Sequence, residues 1–136
     1  MDLMGRGEMG LKQDQGPKRF SALERRYYRW LHSYQECCLT GRHDIELAHT
    51  GGYAQGKAMG AKASVMTVLP LARDLHHAEE ADRQAFWREV GIKDYLAFAE
   101  RLFDLFEANE PPHVLYADMR ARADLHFMAQ ILLRSA

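Results

Sequence analysis

The chain has 136 residues, which is the size of one domain and leaves little room for a second. Apolar residues make up 47% and charged residues 27% of it, a balance typical of a globular protein and not of a disordered chain. The formal net charge is -1, which argues against a protein that coats DNA by electrostatics alone. No apolar run reaches the length of a bilayer span and no signal peptide is evident. We therefore expect a cytoplasmic protein that does not associate with membranes.

The amino-terminal segment is expected to have two parts. Residues 1–19 contain four glycines and a proline without any apolar period, so we predict a flexible arm. Ser21 and Glu24 then form a capping box, in which Ser caps the helix and Glu lies three residues on. Apolar residues at helical spacing follow, and they predict a helix that ends near Cys38.

A β-hairpin is predicted next. Residues 44–50 alternate between polar and apolar side chains, which indicates a strand with His49 near its end. Residues 51–63 are rich in glycine and small residues and are typical of a loop. Residues 64–71 read as the returning strand.

The rest of the chain is predicted to be helical. A short helix is expected over 72–80, and a second over 82–90 with Asp82 as N-cap and Gly91 as C-cap. Amphipathic spacing predicts a third helix over 93–108, and after Pro111 and Pro112 a single last helix over 114–134. The fold class is therefore α+β and mostly helical, with residues 20–136 as one domain.

Three side chains near the hairpin are the strongest candidates for chemistry. His76 and Glu80 are four residues apart, so on a helix they share a face and are able to hold one divalent ion. His49 would project from the hairpin towards that ion, where a neutral imidazole is able to accept a proton from water.

Several segments occur in an order that resembles the HNH (ββα-metal) endonucleases, most closely the small phage and prophage members such as the Ref-type recombination nucleases. The resemblance covers about residues 30–95. It is carried by Cys37-Cys38-Leu39-Thr40-Gly41, Glu46-Leu47-Ala48-His49, Met59-Gly60-Ala61-Lys62, Leu69-Pro70-Leu71, His76 and Ala85-Phe86-Trp87-Arg88-Glu89-Val90-Gly91-Ile92.

The resemblance implies a fold, an activity and roles for residues. It implies a ββα core over about 37–92 with a helical extension over 93–136, acting on DNA with one divalent metal. His49 matches the general base and His76 a metal ligand, while Glu80 stands where the second ligand is usually His. Glutamate suits Mg²⁺ or Mn²⁺, with Ni²⁺ and Zn²⁺ as further candidates.

The chain departs from the pattern of this family at several positions. Many members hold the fold with four zinc-binding cysteines, and the matching positions are Cys37, Thr40, Ala72 and Leu75. Only one is a cysteine, so no structural zinc is expected. The family's Asn or Asp that orders the loop of the base is replaced by Val65, and Ala48 before the base offers no ligand.

The best candidates for contacts with DNA phosphates are four basic residues. They are Arg42, Lys57, Lys62 and Arg73. Residues 79–110 contain four basic and nine acidic side chains, so any nucleic-acid contact is expected elsewhere.

Three functional classes stay open from the sequence. The leading one is an HNH-type, metal-dependent DNA endonuclease of phage type, that is, a phosphodiesterase. The second is a degenerate HNH scaffold that binds DNA or a protein partner of a recombination, defence or counter-defence pathway. The third is a structural homodimer module, indicated by the apolar faces of residues 93–134.

Overall fold

The computed structural model describes residues 15–51 and 65–135. Within these ranges the chain forms helix α1 (Gln15–Tyr34), strands β1 (Ile45–His49) and β2 (Val68–Ala72), and five more helices. These are α2 (Arg73–Ala81), α3 (Arg83–Val90), α4 (Tyr95–Glu107), α5 (His113–Arg122) and α6 (Leu125–Ser135). The fold is thus α+β and mostly helical, as the sequence predicts.

Helix α1 begins earlier than its capping box predicts. It starts at Gln15 and includes Pro17, within the segment 1–19 that we expected to be an arm. Proline is tolerated in the first turn of a helix because the amide it lacks has no partner there. The helix ends at Tyr34, followed by Gln35 in the left-handed conformation with φ 46°. Residues 1–14 of the predicted arm lie outside the described residues.

The predicted hairpin is present as a two-stranded antiparallel sheet, but its returning strand begins only at Val68, since residues 65–66 are helical and not extended as predicted. Ile45 lies opposite Ala72, and His49 lies opposite Val68 at the other end. All five residues of β2 are buried, because helices α2 and α4 contact this strand. The outer side of β2 is also engaged, since the backbone N–H of Cys38 donates to the carbonyl of Pro70. The predicted connecting loop falls mostly on residues 52–64, which lie outside the described residues.

Helices α2 and α3 follow the sheet as predicted. Helix α3 has Asp82 as its N-cap, whose side chain accepts from the N–H of Ala85 at 3.1 Å. It ends at Gly91, which has φ 91°, a conformation that costs glycine little and other residues more. The junction between sheet and helix is short, so β2 leads directly into α2 and fixes the direction of that helix.

The prediction of one last helix over 114–134 is wrong, because the structure has two helices there. Ala123 is extended, with ψ 142°, and Asp124 donates its N–H to the carbonyl of Val90 at 2.8 Å. The carboxylate of Asp124 accepts from the N–H of Phe127 at 3.0 Å and so caps α6. The hydrogen bond to Val90 at the end of α3 and the cap on α6 together divide residues 113–135 into two helices.

One hydrophobic core joins the helices to the sheet. Its largest fully buried side chains include Trp87, Tyr27, Tyr116, Phe98 and Phe103. Apolar faces of α4, α5 and α6 are therefore mostly buried within the molecule. Among the described residues, the large apolar side chains left exposed are Val114, Leu125 and Leu133.

Three of the four positions that match zinc cysteines lie in this core. Cys37, Ala72 and Leu75 belong to one buried cluster, and Cys37 and Cys38 are free thiols. The turn over residues 37–42 is closed by backbone hydrogen bonds from Cys37 to Arg42 and from Gly41 to Cys37. Arg120 of α5 reaches this turn, and its Nη2 donates to the carbonyl of Cys37 at 2.8 Å and to Glu36 at 3.1 Å. We name residues 36–42 with Arg120 the arginine-held turn.

Candidate functional site

The candidate residues lie on β1 and on the two helices that its side chains contact, α1 and α2. Residues on β1 alternate in direction, so Glu46 and Ala48 face the opposite way from Leu47 and His49. Glu46 faces α2, where it meets His76, and His49 faces α1, where it meets Tyr28. The strand therefore places one ionisable side chain on each of its faces.

Glu46 binds three side chains of α2 through its carboxylate. Its Oε1 lies 2.8 Å from Nδ1 of His76 and 3.7 Å from Nε2 of His77, and its Oε2 accepts from Nε of Arg73 at 3.1 Å. The hydrogen bond from His76, with the nearby His77 and Arg73, lowers the pKa of Glu46 despite the opposing effect of burial. The carboxylate is thus kept in its ionised form.

His76 and Glu80 come together as their spacing predicts. Nε2 of His76 lies 3.7 Å from Oε2 of Glu80, and the two residues lie about 100° around α2 from the buried Leu75 and Glu79. When Nδ1–H of His76 donates to Glu46, Nε2 keeps its lone pair and faces Glu80. A carboxylate on the far nitrogen is the usual way in which proteins orient a metal-binding imidazole.

Two ligands are fewer than a complete cation site. Among the residues that the structure describes, no group of three or more His, Cys, Asp or Glu side chains is placed to hold a metal ion. Mg²⁺ and Mn²⁺ commonly take one or two carboxylates and fill their shells with water and substrate phosphate oxygens. The His76–Glu80 pair fits that partial kind of site.

His49 is exposed at the end of β1, and its Nε2 lies 2.8 Å from the hydroxyl of Tyr28. Desolvation lowers its pKa, and the charges of His76 and Arg83 lower it further, while Glu24 and Glu79 act in the opposite direction. His49 therefore stays neutral at pH 7, since the ordinary value for histidine is 6.5. The side-chain hydrogen bond that the structure describes for His49 is with Tyr28 of α1, and not with the His76–Glu80 pair.

A buried carboxylate on α2 joins this helix to α3. Glu79 has no exposed side-chain surface, and its Oε2 accepts from Nε of Arg83 at 2.7 Å and from Nε1 of Trp87 at 3.2 Å. These contacts satisfy a charge that would be costly to bury alone. They also join α2 to α3, so the face that carries His76 and Glu80 has a fixed orientation.

The predicted phosphate-binding residues have different environments. Arg42 is paired with Asp74 at 3.1 Å and with Asp44 at 2.8 Å, so two carboxylates already offset its charge. Arg73 is 69% exposed and pairs with Glu46 alone among the described residues. Lys57 and Lys62 lie outside the described residues.

Sequence reasoning missed Glu46, Tyr28 and Glu24. The contacts of Glu46 with His76 and of Tyr28 with His49 join residues 30 and 21 positions apart, so no local motif contains them. One signal for Glu46 was available, because alternation puts it on the same strand face as Ala48. A carboxylate on a face that packs against a helix requires a partner.

The comparisons with known proteins identify the family. A sequence model described as "Protein of unknown function (DUF968)" matches residues 8–105, more than two thirds of the chain. The chain belongs to the DUF968 family. No curated protein and no solved structure matches it. The matched residues include β1, β2 and α2, and every candidate residue named above lies between residues 8 and 105. Among the described residues, no helix is long and apolar enough to span a membrane.

Proposed function

We propose that this DUF968 chain is an HNH-type, metal-dependent DNA endonuclease. In this proposal His49 activates water, and His76 with Glu80 holds one divalent ion. The observation that carries it is the arrangement of a hairpin leading directly into a helix. It places His49 at the end of β1 and the His76–Glu80 pair, 3.7 Å apart, on the adjoining helix.

The state of His49 supports its role as a general base. Its lowered pKa keeps the ring neutral at pH 7, and only the neutral imidazole has a lone pair for a proton. The side chain is also exposed, so water and a phosphodiester are able to reach it. A positioned base of this kind contributes about 10²- to 10⁴-fold to a rate.

The donors of α2 fit a hard divalent cation such as Mg²⁺ or Mn²⁺. His76 is oriented by Glu46 through Nδ1 and presents Nε2 beside the Glu80 carboxylate. A divalent ion held there would stabilise negative charge that develops on the phosphate during cleavage. Arg73, which is exposed at the start of α2, would contact a neighbouring phosphate of the DNA.

A second candidate function is a scaffold that binds DNA or a protein without cutting. It is favoured by the pairing of Arg42 with Asp74 and Asp44, and by Ala48, which is buried and has no donor atom. The first feature reduces the positive charge available to a DNA phosphate, and the second leaves one metal ligand fewer.

Plasmid cleavage distinguishes the two functions. The wild-type protein is assayed with Mg²⁺, Mn²⁺, Ni²⁺ and Zn²⁺, beside His49→Ala and the control His126→Ala. His126 is exposed and contacts Gln130 on α6, far in sequence from the site. We expect metal-dependent nicking by the wild type and by the control, and a loss of about 10²-fold or more in His49→Ala. If the wild type binds DNA yet cuts it with none of the metals, the scaffold function replaces the nuclease.

A further inference from the structure

The hydroxyl of Tyr28 joins the candidate base to a carboxylate on α1. It lies 2.8 Å from Nε2 of His49 and 3.3 Å from Oε2 of Glu24, one helical turn earlier. The rings of Tyr28 and His49 also meet edge to face, with centroids 6.0 Å apart. Two kinds of contact therefore fix the imidazole against α1.

The number of available protons determines the direction of these hydrogen bonds. A phenol has one hydrogen, and an ionised carboxylate only accepts. Both contacts of Tyr28 are satisfied together when its O–H donates to Glu24 and Nε2–H of His49 donates to the phenol oxygen. Burial and the charge of Glu24 raise the pKa of Tyr28, so the phenol keeps its hydrogen at neutral pH.

This arrangement specifies which nitrogen of His49 is basic. With the hydrogen on Nε2, the lone pair of the neutral ring is on Nδ1. We infer that Tyr28, supported by Glu24, is the positioning residue that holds His49 in the Nε2–H tautomer, so that Nδ1 accepts the proton from water. This inference rests on the proposed function in one respect, namely that His49 is the general base.

The charges around His49 come from three helices. Glu24 lies on α1, His76 and Glu79 lie on α2, and Arg83 lies on α3. His76 and Arg83 disfavour a positive charge on the His49 ring. Glu24 and Glu79 favour that charge. Glu24 is the carboxylate joined to His49 through a hydrogen-bonded group, so it stabilises the imidazolium that forms when Nδ1 takes a proton.

Tyr28→Phe tests the inference because it removes the hydroxyl and keeps the ring. We expect kcat for metal-dependent DNA cleavage to fall about 10- to 100-fold, which is part of what a positioned base contributes, with KM for DNA unchanged. In ¹⁵N–¹H spectra the His49 ring should change from the Nε2–H tautomer alone towards the mixture of both tautomers that a free imidazole has. Glu24→Gln keeps the phenol and removes the charge, so we expect a lower pKa for His49 and a smaller fall in kcat.

The matched control is Tyr34→Phe on the same helix. The ring of Tyr34 meets His113 edge to face with centroids 5.5 Å apart, so this variant loses a tyrosine hydroxyl beside a different histidine. We expect the tautomer of His49 and the cleavage rate to stay as in the wild type. A comparable fall in kcat in Tyr34→Phe would overturn the assignment to Tyr28.

The two readouts separate this inference from the proposed function. If the wild type cuts DNA and Tyr28→Phe has the same kcat and the same His49 tautomer, the positioning role is wrong and the nuclease stands. If the wild type is inert with every metal but the tautomer changes in Tyr28→Phe, the nuclease is wrong. Tyr28 then stands as the residue that orients His49.

Discussion

At the scale of single residues, Glu46 contacts three side chains around the candidate metal site, although it is not one of the predicted ligands. Its carboxylate lies between His76, His77 and Arg73. An imidazole whose Nδ1–H is held by a carboxylate is fixed in one tautomer and is a stronger ligand at Nε2. If His76 holds a metal ion, Glu46 would determine which of its nitrogens is free to bind it.

Glu46→Gln should weaken binding of Mn²⁺ about 10- to 100-fold, because an amide orients His76 less well than a carboxylate does. Isothermal titration calorimetry with Mn²⁺ alone measures the change. Arg73→Met is the control, since it removes the ion pair with Glu46 and leaves the contact with His76. Equal Mn²⁺ affinity in wild type and Glu46→Gln would contradict the role of Glu46.

The pH dependence of cleavage should report His49. Its pKa lies below the ordinary 6.5, and the protonated ring has no lone pair for a proton. The rate should therefore be constant around neutral pH and fall as the pH drops through a value below 6.5. The profile is measured at saturating metal, so that metal binding does not limit the rate. A midpoint above 6.5 would mean that another group controls the rate.

At the scale of elements, the hairpin and helices α2 and α3 follow from the sequence, whereas the start of α1 and the break between α5 and α6 do not. Strand β1 shows its alternation, and α3 has Asp82 and Gly91 at its ends, so local chemistry defines both. The division between α5 and α6 depends on a hydrogen bond from Asp124 to Val90. That contact joins segments far apart in sequence, and the helical period continues across it.

The same limit applies to the candidate site. Spacing along α2 is enough to pair His76 with Glu80, because both residues lie on one helix. The partners of His49 and His76 are on other elements, α1 and β1. They become neighbours only through packing, which a single sequence does not display.

Asp124→Ala should lower the free energy of unfolding by about 1 kcal/mol, because the N–H of Phe127 loses its cap. Urea denaturation followed by the fluorescence of the buried Trp87 measures this difference. Asp118→Ala, on the preceding helix, provides a control for removing an exposed aspartate, which pairs with Arg122 at 3.6 Å. A loss no larger than in that control would show that the cap contributes little to the break.

At the scale of the whole molecule, the arginine-held turn links the segment before the sheet to helix α5. Arg120 contacts Glu36 and Cys37 across more than 80 positions of sequence. Its guanidinium lies against Gly41, where an added Cβ would come within 3.7 Å. The turn is thus fixed by a side chain of α5, and the buried Ala72 and Leu75 pack beneath it.

Arg120→Met should destabilise the fold by about 2 kcal/mol, since two acceptors of the turn lose a charged donor. Arg122→Met is the control, because its pairs with Asp94 and Asp118 are exposed and contribute about 1 kcal/mol or less. Urea denaturation compares both variants with the wild type. A smaller loss in Arg120→Met than in the control would show that the turn does not depend on Arg120.

A chelator should leave the urea midpoint of the wild type unchanged. A turn held by zinc ligands unfolds when the metal is removed, whereas this turn is held by a guanidinium and an apolar cluster. EDTA is added to the purified chain before the titration, with magnesium-saturated EDTA as the control for ionic strength. A lower midpoint with free EDTA would mean that a metal contributes to the fold.

The reach of Arg120 also has a consequence for the order of events during synthesis. The turn at residues 36–42 and the hairpin after it emerge from the ribosome long before α5 does. Their final contact has to wait until residue 120 has been translated, because a closed loop of this length forms only when both ends are available. We therefore expect the nascent hairpin to stay open to proteases and chaperones until α5 has emerged and Arg120 has docked.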